Sequence, residues 1–152
     1  MIWDFCRRLV QPVRAEPWAC MLQDLSDLEF LGMWTGDMIE FCFLSGKEIF
    51  SVRIPQRSPF NIIDESYLGT LHRSLKGKSR TWKTFGTPFV RALQKTILLH
   101  FEPAHSRFSY LIVTGDECVE FISPEPEIRR MTPDELTQKL EQLPRYFSDR
   151  LG

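Results

Sequence analysis

The chain has 152 residues, of which 43% are hydrophobic and 26% charged, and a net charge of −1; this suits one self-folding domain over 1–152 and excludes a disordered chain. Cys6, Cys20, Cys42 and Cys118 are scattered, with no CxxC pair or dense disulfide framework, so free thiols in a cytoplasmic protein are expected. No uncharged apolar window reaches roughly 18 residues, and Asp4, Arg7 and Arg8 interrupt the first apolar stretch, so neither a spanning helix, a signal peptide nor a membrane partner is expected.

Ile2 to Val10 is too brief a pattern to separate helix from strand. The clearest strand signals are two runs that begin alike, Thr35-Gly36-Asp37-Met38-Ile39-Glu40-Phe41 and Thr114-Gly115-Asp116-Glu117-Cys118-Val119-Glu120-Phe121. In each, Gly-Asp marks a turn and β-formers follow. The spacing predicts hairpins pairing Phe30–Trp34 with Met38–Phe43, and Phe108–Val113 with Cys118–Ile122. Trp18–Gln23 and Thr96–Phe101 read as the strands before them, and Glu48–Ile54 as a strand after the first. Pro124 and Pro126 argue against a central strand after the second.

These correspondences suggest an internal duplication, about 12–76 and 89–143, with a three-stranded meander in each half. Shared turn chemistry between any two hairpins is the plain alternative. Asp64 to Lys76 reads as a helix with Leu68, Leu71 and Leu75 on one face, closed by Gly77. Lys78 to Pro88 reads as a loop, and Phe89 to Leu93 as a helical turn. Thr132-Pro133-Asp134-Glu135 announces a last helix, with a cap hydroxyl, proline at its start and a glutamate completing a capping box; Leu136, Leu140 and Leu143 form its stripe and Pro144 ends it. The expected fold is α+β, a mainly antiparallel sheet of five to seven strands with two main helices packed on one face, or else a strongly curved sheet.

Charge is unevenly spread. Residues 53–95 hold nine Lys/Arg against two Asp/Glu, while 1–52 hold four against eight and 96–152 hold six against ten. Arg73, Lys76, Lys78, Arg80 and Lys83 surround Trp82 in the basic stretch, as a stacked base and a phosphate backbone would require. Against that, the chain as a whole is slightly acidic, and cations after a helix also suit its dipole. Gly77-Lys78-Ser79 lacks the upstream glycine of a phosphate-binding loop, its place being taken by His72.

His100, Glu102 and His105 would give two nitrogens and a carboxylate for a metal if a turn at Pro103 brought them together, although such residues are ordinary at an exposed turn. Glu40 and Glu120 could approach as a coupled carboxylate pair, but alternation along the strands makes them solvent-facing polar residues in the simpler reading. No catalytic motif of fixed spacing occurs, and no cofactor is implied.

Trp34 and Trp82 would make a hot-spot surface if they stood exposed beside the charged loops. The expectation drawn from these features is a small, non-enzymatic bacterial cytosolic protein that binds or inhibits another protein, by way of an acidic surface on it; an immunity protein facing a toxin is the class example. It would bind through Trp34, Arg73, Lys76, Lys78, Arg80, Trp82 and Lys83. The alternatives are a nucleic-acid or nucleotide binder using the same basic segment, and a small hydrolase or metal-dependent enzyme using His100, Glu102 and His105.

Overall fold

The two anticipated hairpins are present, each with one face turned inward, and the rings of that face build a core between two antiparallel sheets. The computed structural model describes residues 13–64, 75, 79–94 and 108–142. In chain order these form β1 (Arg14–Pro17), β2 (Leu28–Thr35), β3 (Met38–Ser45), β4 (Glu48–Pro55), β5 (Phe60–Asp64), β6 (Thr81–Phe85), α1 (Pro88–Gln94), β7 (Ser109–Val113), β8 (Glu117–Phe121), β9 (Glu127–Met131) and α2 (Pro133–Glu141). One sheet has five strands in the order β1-β6-β7-β8-β5, and the other four in the order β2-β3-β4-β9.

Alternation along the strands decides what meets between the sheets. Ile39, Phe41 and Phe43 of β3 and Phe50, Val52 and Ile54 of β4 join Tyr110, Ile112, Val119 and Phe121 of the larger sheet in one buried cluster. The rings of Phe41 and Phe121 stack across the interface at 5.7 Å, and Phe60 meets Phe41 edge-on at the same distance. Stacked and edge-to-face pairs of this kind add to the gain from burial itself.

β2 and β3 form the expected first hairpin, β4 is the strand expected after it, and β7 and β8 form the expected second hairpin. The third strands then part ways. β4 stays beside β3, whereas β9 leaves the five-stranded sheet and pairs antiparallel with β4, setting Ile49 against Met131 and Val52 against Ile128. β5 makes the converse crossing and pairs with β8. Pro124 and Pro126 lie in the linker, and the strand that follows them is an edge strand, where missing donors cost little.

Several expectations are corrected. There are nine strands among the described residues rather than five to seven: β1, β5, β6 and β9 were not anticipated, β6 falling within the segment read as a loop; in β6, Thr81, Trp82 and Phe85 are β-formers whose signal the neighbouring cations obscured. Trp18–Gln23 is a turn, held by the Gln23 amide on the Cys20 carbonyl at 3.1 Å, with Trp18 and Leu22 both buried. Arg14–Pro17 is a strand that was not anticipated, whereas Phe89 to Leu93, read as a helical turn, does lie in the helix α1.

The helices do not share one face. Thr87, at the head of α1, bonds Glu120 of the larger sheet, while Leu136 of α2 packs with Cys42, Ile49 and Met131 of the smaller one. The capping box of α2 is present at Thr132 and Glu135, but Leu140 remains 51% exposed. Asp64 ends β5 instead of opening a helix. Most of the helix expected to Lys76, the strand Thr96–Phe101, the segment Ile2–Val10, and Leu143 with Pro144 lie outside the described residues. None of the helices among the described residues is long and apolar enough to cross a membrane.

Candidate functional site

Inward side chains at the β1 end of the larger sheet leave the core and form a cationic aromatic face. Strand register sets Arg14 against Phe85 and Glu16 against Lys83, and the next register sets Lys83 against Tyr110. These residues therefore share the face on which Tyr110 points inward. The Arg14 guanidinium lies over the Phe85 ring, 4.3 Å from its centre. The Lys83 ammonium lies over β7, 5.4 Å from the Phe108 ring centre and 5.8 Å from that of Tyr110.

Phe85 and Phe108 are themselves in contact at 5.7 Å, so the two cations rest on one continuous ring platform. Ring quadrupoles attract the cations and hold them in place without consuming their charge. Among the described residues no carboxylate lies within ion-pair distance of Arg14 or Lys83. The nearby acid Glu125 is engaged elsewhere, accepting from the Tyr110 hydroxyl at 2.8 Å and the Trp18 indole at 3.4 Å. Burial and the Glu125 hydrogen bond both push the Tyr110 hydroxyl well above its ordinary pKa, so it stays a neutral donor.

The rest of the expected basic site is divided. Trp82 is 2% exposed, its ring packed with Leu111, Val113 and Cys118 on the opposite face of β6 and its indole donating to the Ser79 carbonyl. Arg80 donates to the carbonyls of Leu25 at 3.2 Å and Ser26 at 2.6 Å, tying the 18–27 loop to β6. Of the described part of the segment, Lys83 alone reaches the aromatic face. Trp34 lies on the other sheet, where its indole donates to the Lys139 carbonyl of α2. Arg73, Lys76, Lys78, His100, Glu102 and His105 lie outside the described residues. Within those residues no three potential metal donors gather.

Two further polar centres are built on the outer faces. Both Glu40 and Glu120 are buried rather than solvent-facing, at 7% and 3% exposure. They point away from the core on different sheets, so they do not form a pair. Glu40 accepts from Ser51 and is bridged by Lys139 of α2, with Arg129 at 3.9 Å. Burial works to raise its pKa, but the hydrogen bonds of Lys139 and Ser51 and the charges of Lys139 and Arg129 outweigh it and hold the carboxyl below its ordinary 4.5.

Glu120 meets hydroxyls instead. Thr87 and Ser109 each donate to its Oε1 at 2.6 Å, and Thr84 contacts the Ser109 hydroxyl at 2.6 Å. Burial pushes this carboxyl above 4.5, and the hydroxyl bonds only partly oppose the shift. The hairpin sequences carried a signal for both burials. Met38 and Cys42 flank Glu40 on its own face, and Cys118 and Ile122 flank Glu120; an outward set this apolar belongs to a sheet covered on both sides.

Compared with known proteins, the chain matches no family model, no curated protein and no solved structure.

Proposed function

We propose that the protein is a non-enzymatic binding protein that recognises an acidic surface on another macromolecule, in the manner of an immunity-like or regulatory inhibitor. The observation that carries this reading is the placement of Arg14 over Phe85 and of Lys83 over Phe108, both without an acidic partner among the described residues. An aromatic platform offers apolar contact area at low entropic cost, and cations fixed on it give a partner charge to recognise. Electrostatic complementarity of this kind sets specificity and association rate more than bulk affinity.

Co-purification from the native host tests it. A partner retained by the wild-type chain should be lost from an Arg14→Ala/Lys83→Ala double variant that still folds, and association should slow as ionic strength rises. A partner held equally by both proteins at every salt concentration would place the binding surface elsewhere.

A further inference from the structure

Resting on that reading of the β1–β6 face, we infer that its partner is an extended acidic polypeptide segment with carboxylates on alternate residues, laid across the face so that one carboxylate meets Arg14 and the next meets Lys83. Three observations on the face select this occupant. Arg14 stands opposite Phe85, so it is offset from Lys83 by two residues along β6, which is the ~6.8 Å that separates alternate residues of an extended chain. Consecutive glutamates in a strand point to opposite sides, so alternation and not mere density of charge satisfies both cations at once.

The second observation is Glu16. It is exposed and stands opposite Lys83 in the strand register, leaving one acidic corner in a block otherwise made of Arg14, Phe85 and Lys83. A uniformly anionic ligand is repelled at that corner, whereas a peptide can place a neutral or basic residue there. Third, the face is a sheet surface with half-buried rings, against which the methylene stems of the inward-pointing acidic side chains can pack. A nucleic acid would bring an unbroken line of phosphates past Glu16, and the Trp82 ring that could have stacked a base is enclosed.

Fluorescence anisotropy with the full chain tests the inference, using three labelled probes of equal charge: a peptide alternating glutamate with serine, an isomer with the same residues segregated into blocks, and a single-stranded oligonucleotide. The alternating peptide should bind about tenfold more tightly than the block isomer, and more tightly than the oligonucleotide. Arg14→Ala and Lys83→Ala should each weaken it about two- to fivefold, as loss of a surface cation does. Glu16→Gln should tighten it, while Lys47→Ala, in the distant β3–β4 turn, should change nothing.

Equal binding of both peptides, with both cation variants weakened, overturns the alternating register and leaves the docking face standing. Preference for the oligonucleotide overturns the polypeptide partner. Absence of binding, or binding indifferent to Arg14 and Lys83, overturns the docking face itself. Circular dichroism of each variant confirms that it still folds, so that a lost signal reports on the surface.

Discussion

Glu40 and Glu120 each precede a phenylalanine in equivalent hairpin strands, and because Phe41 and Phe121 stack on one another in the core, the two carboxyls point outward from opposite sheets. Each is covered, but by different chemistry. Lys139 and Arg129 place positive charge beside Glu40, whereas the described groups bonded to Glu120 are the hydroxyls of Ser109 and Thr87.

Opposite pH dependence follows from that difference. Glu40 has its pKa lowered in the folded state, so its contribution to stability is present above 4.5 and is lost as pH falls through the folded value. The stability gap between the wild type and Glu40→Gln should therefore reach about 1–3 kcal/mol at neutral pH and shrink on acidification. Urea unfolding at a series of pH values measures it. A gap that stays constant down to strongly acidic pH would refute the ion-pair assignment.

Glu120 has its pKa raised, so its burial costs nothing below 4.5 and costs progressively more as pH climbs from 4.5 to the folded value. Glu120→Gln keeps an acceptor oxygen for Thr87 and Ser109 but cannot ionise. Relative to the wild type it should gain stability with rising pH over that window, reversing the Glu40→Gln trend. The same unfolding series decides the matter, and parallel curves for the two variants would contradict it.

What could be read in advance follows from how local each signal is. The Gly-Asp turns mark the hairpin reversals within a few residues, so both hairpins were legible, as was α2 from its Thr132–Glu135 capping box. The crossings of β5 and β9 are long-range choices that no local pattern encodes. The cationic face was half visible: Lys83 stood out within a basic run, but Arg14 sits in a separate segment and reaches Lys83's neighbourhood only because β1 pairs with β6. Trp82 looked like a surface ring because its neighbours in sequence are charged, yet strand alternation turns it to the opposite face from Lys83.

Gly32 offers a backbone test. It lies at a bulge in the β2–β3 register, has φ of +155°, and an added Cβ would meet the Trp34 ring at 3.2 Å. That ring is held over the strand by its bond to the Lys139 carbonyl, so it cannot give way freely. Gly32→Ala should destabilise the fold by about 1–3 kcal/mol, combining backbone strain with loss of the Trp34 position. Thermal unfolding monitored by tryptophan fluorescence checks both. An unchanged midpoint would show that the indole is not fixed between β2 and α2.

The thiols give the last test. Cys42 is fully buried with its Sγ 3.6 Å from the Met131 sulfur, and burial, with the charge of Glu40 adding to it, pushes its pKa up to about 12. Cys118 is equally enclosed, within the cluster of Trp82 and Leu111. A thiolate is the reactive form, so both should label only through opening of the fold, whereas half-buried Cys20 needs a smaller local opening. Mass spectrometry after a brief pulse of a thiol reagent should find Cys42 and Cys118 unmodified in the native protein and modified in denaturant. Lys139→Ala should then hasten labelling of Cys42 while leaving Cys118 protected, because α2 covers the sheet that holds Cys42 and does not cover the other. Equal acceleration at the two sites would mean that the sheets open together and that α2 is no independent cover.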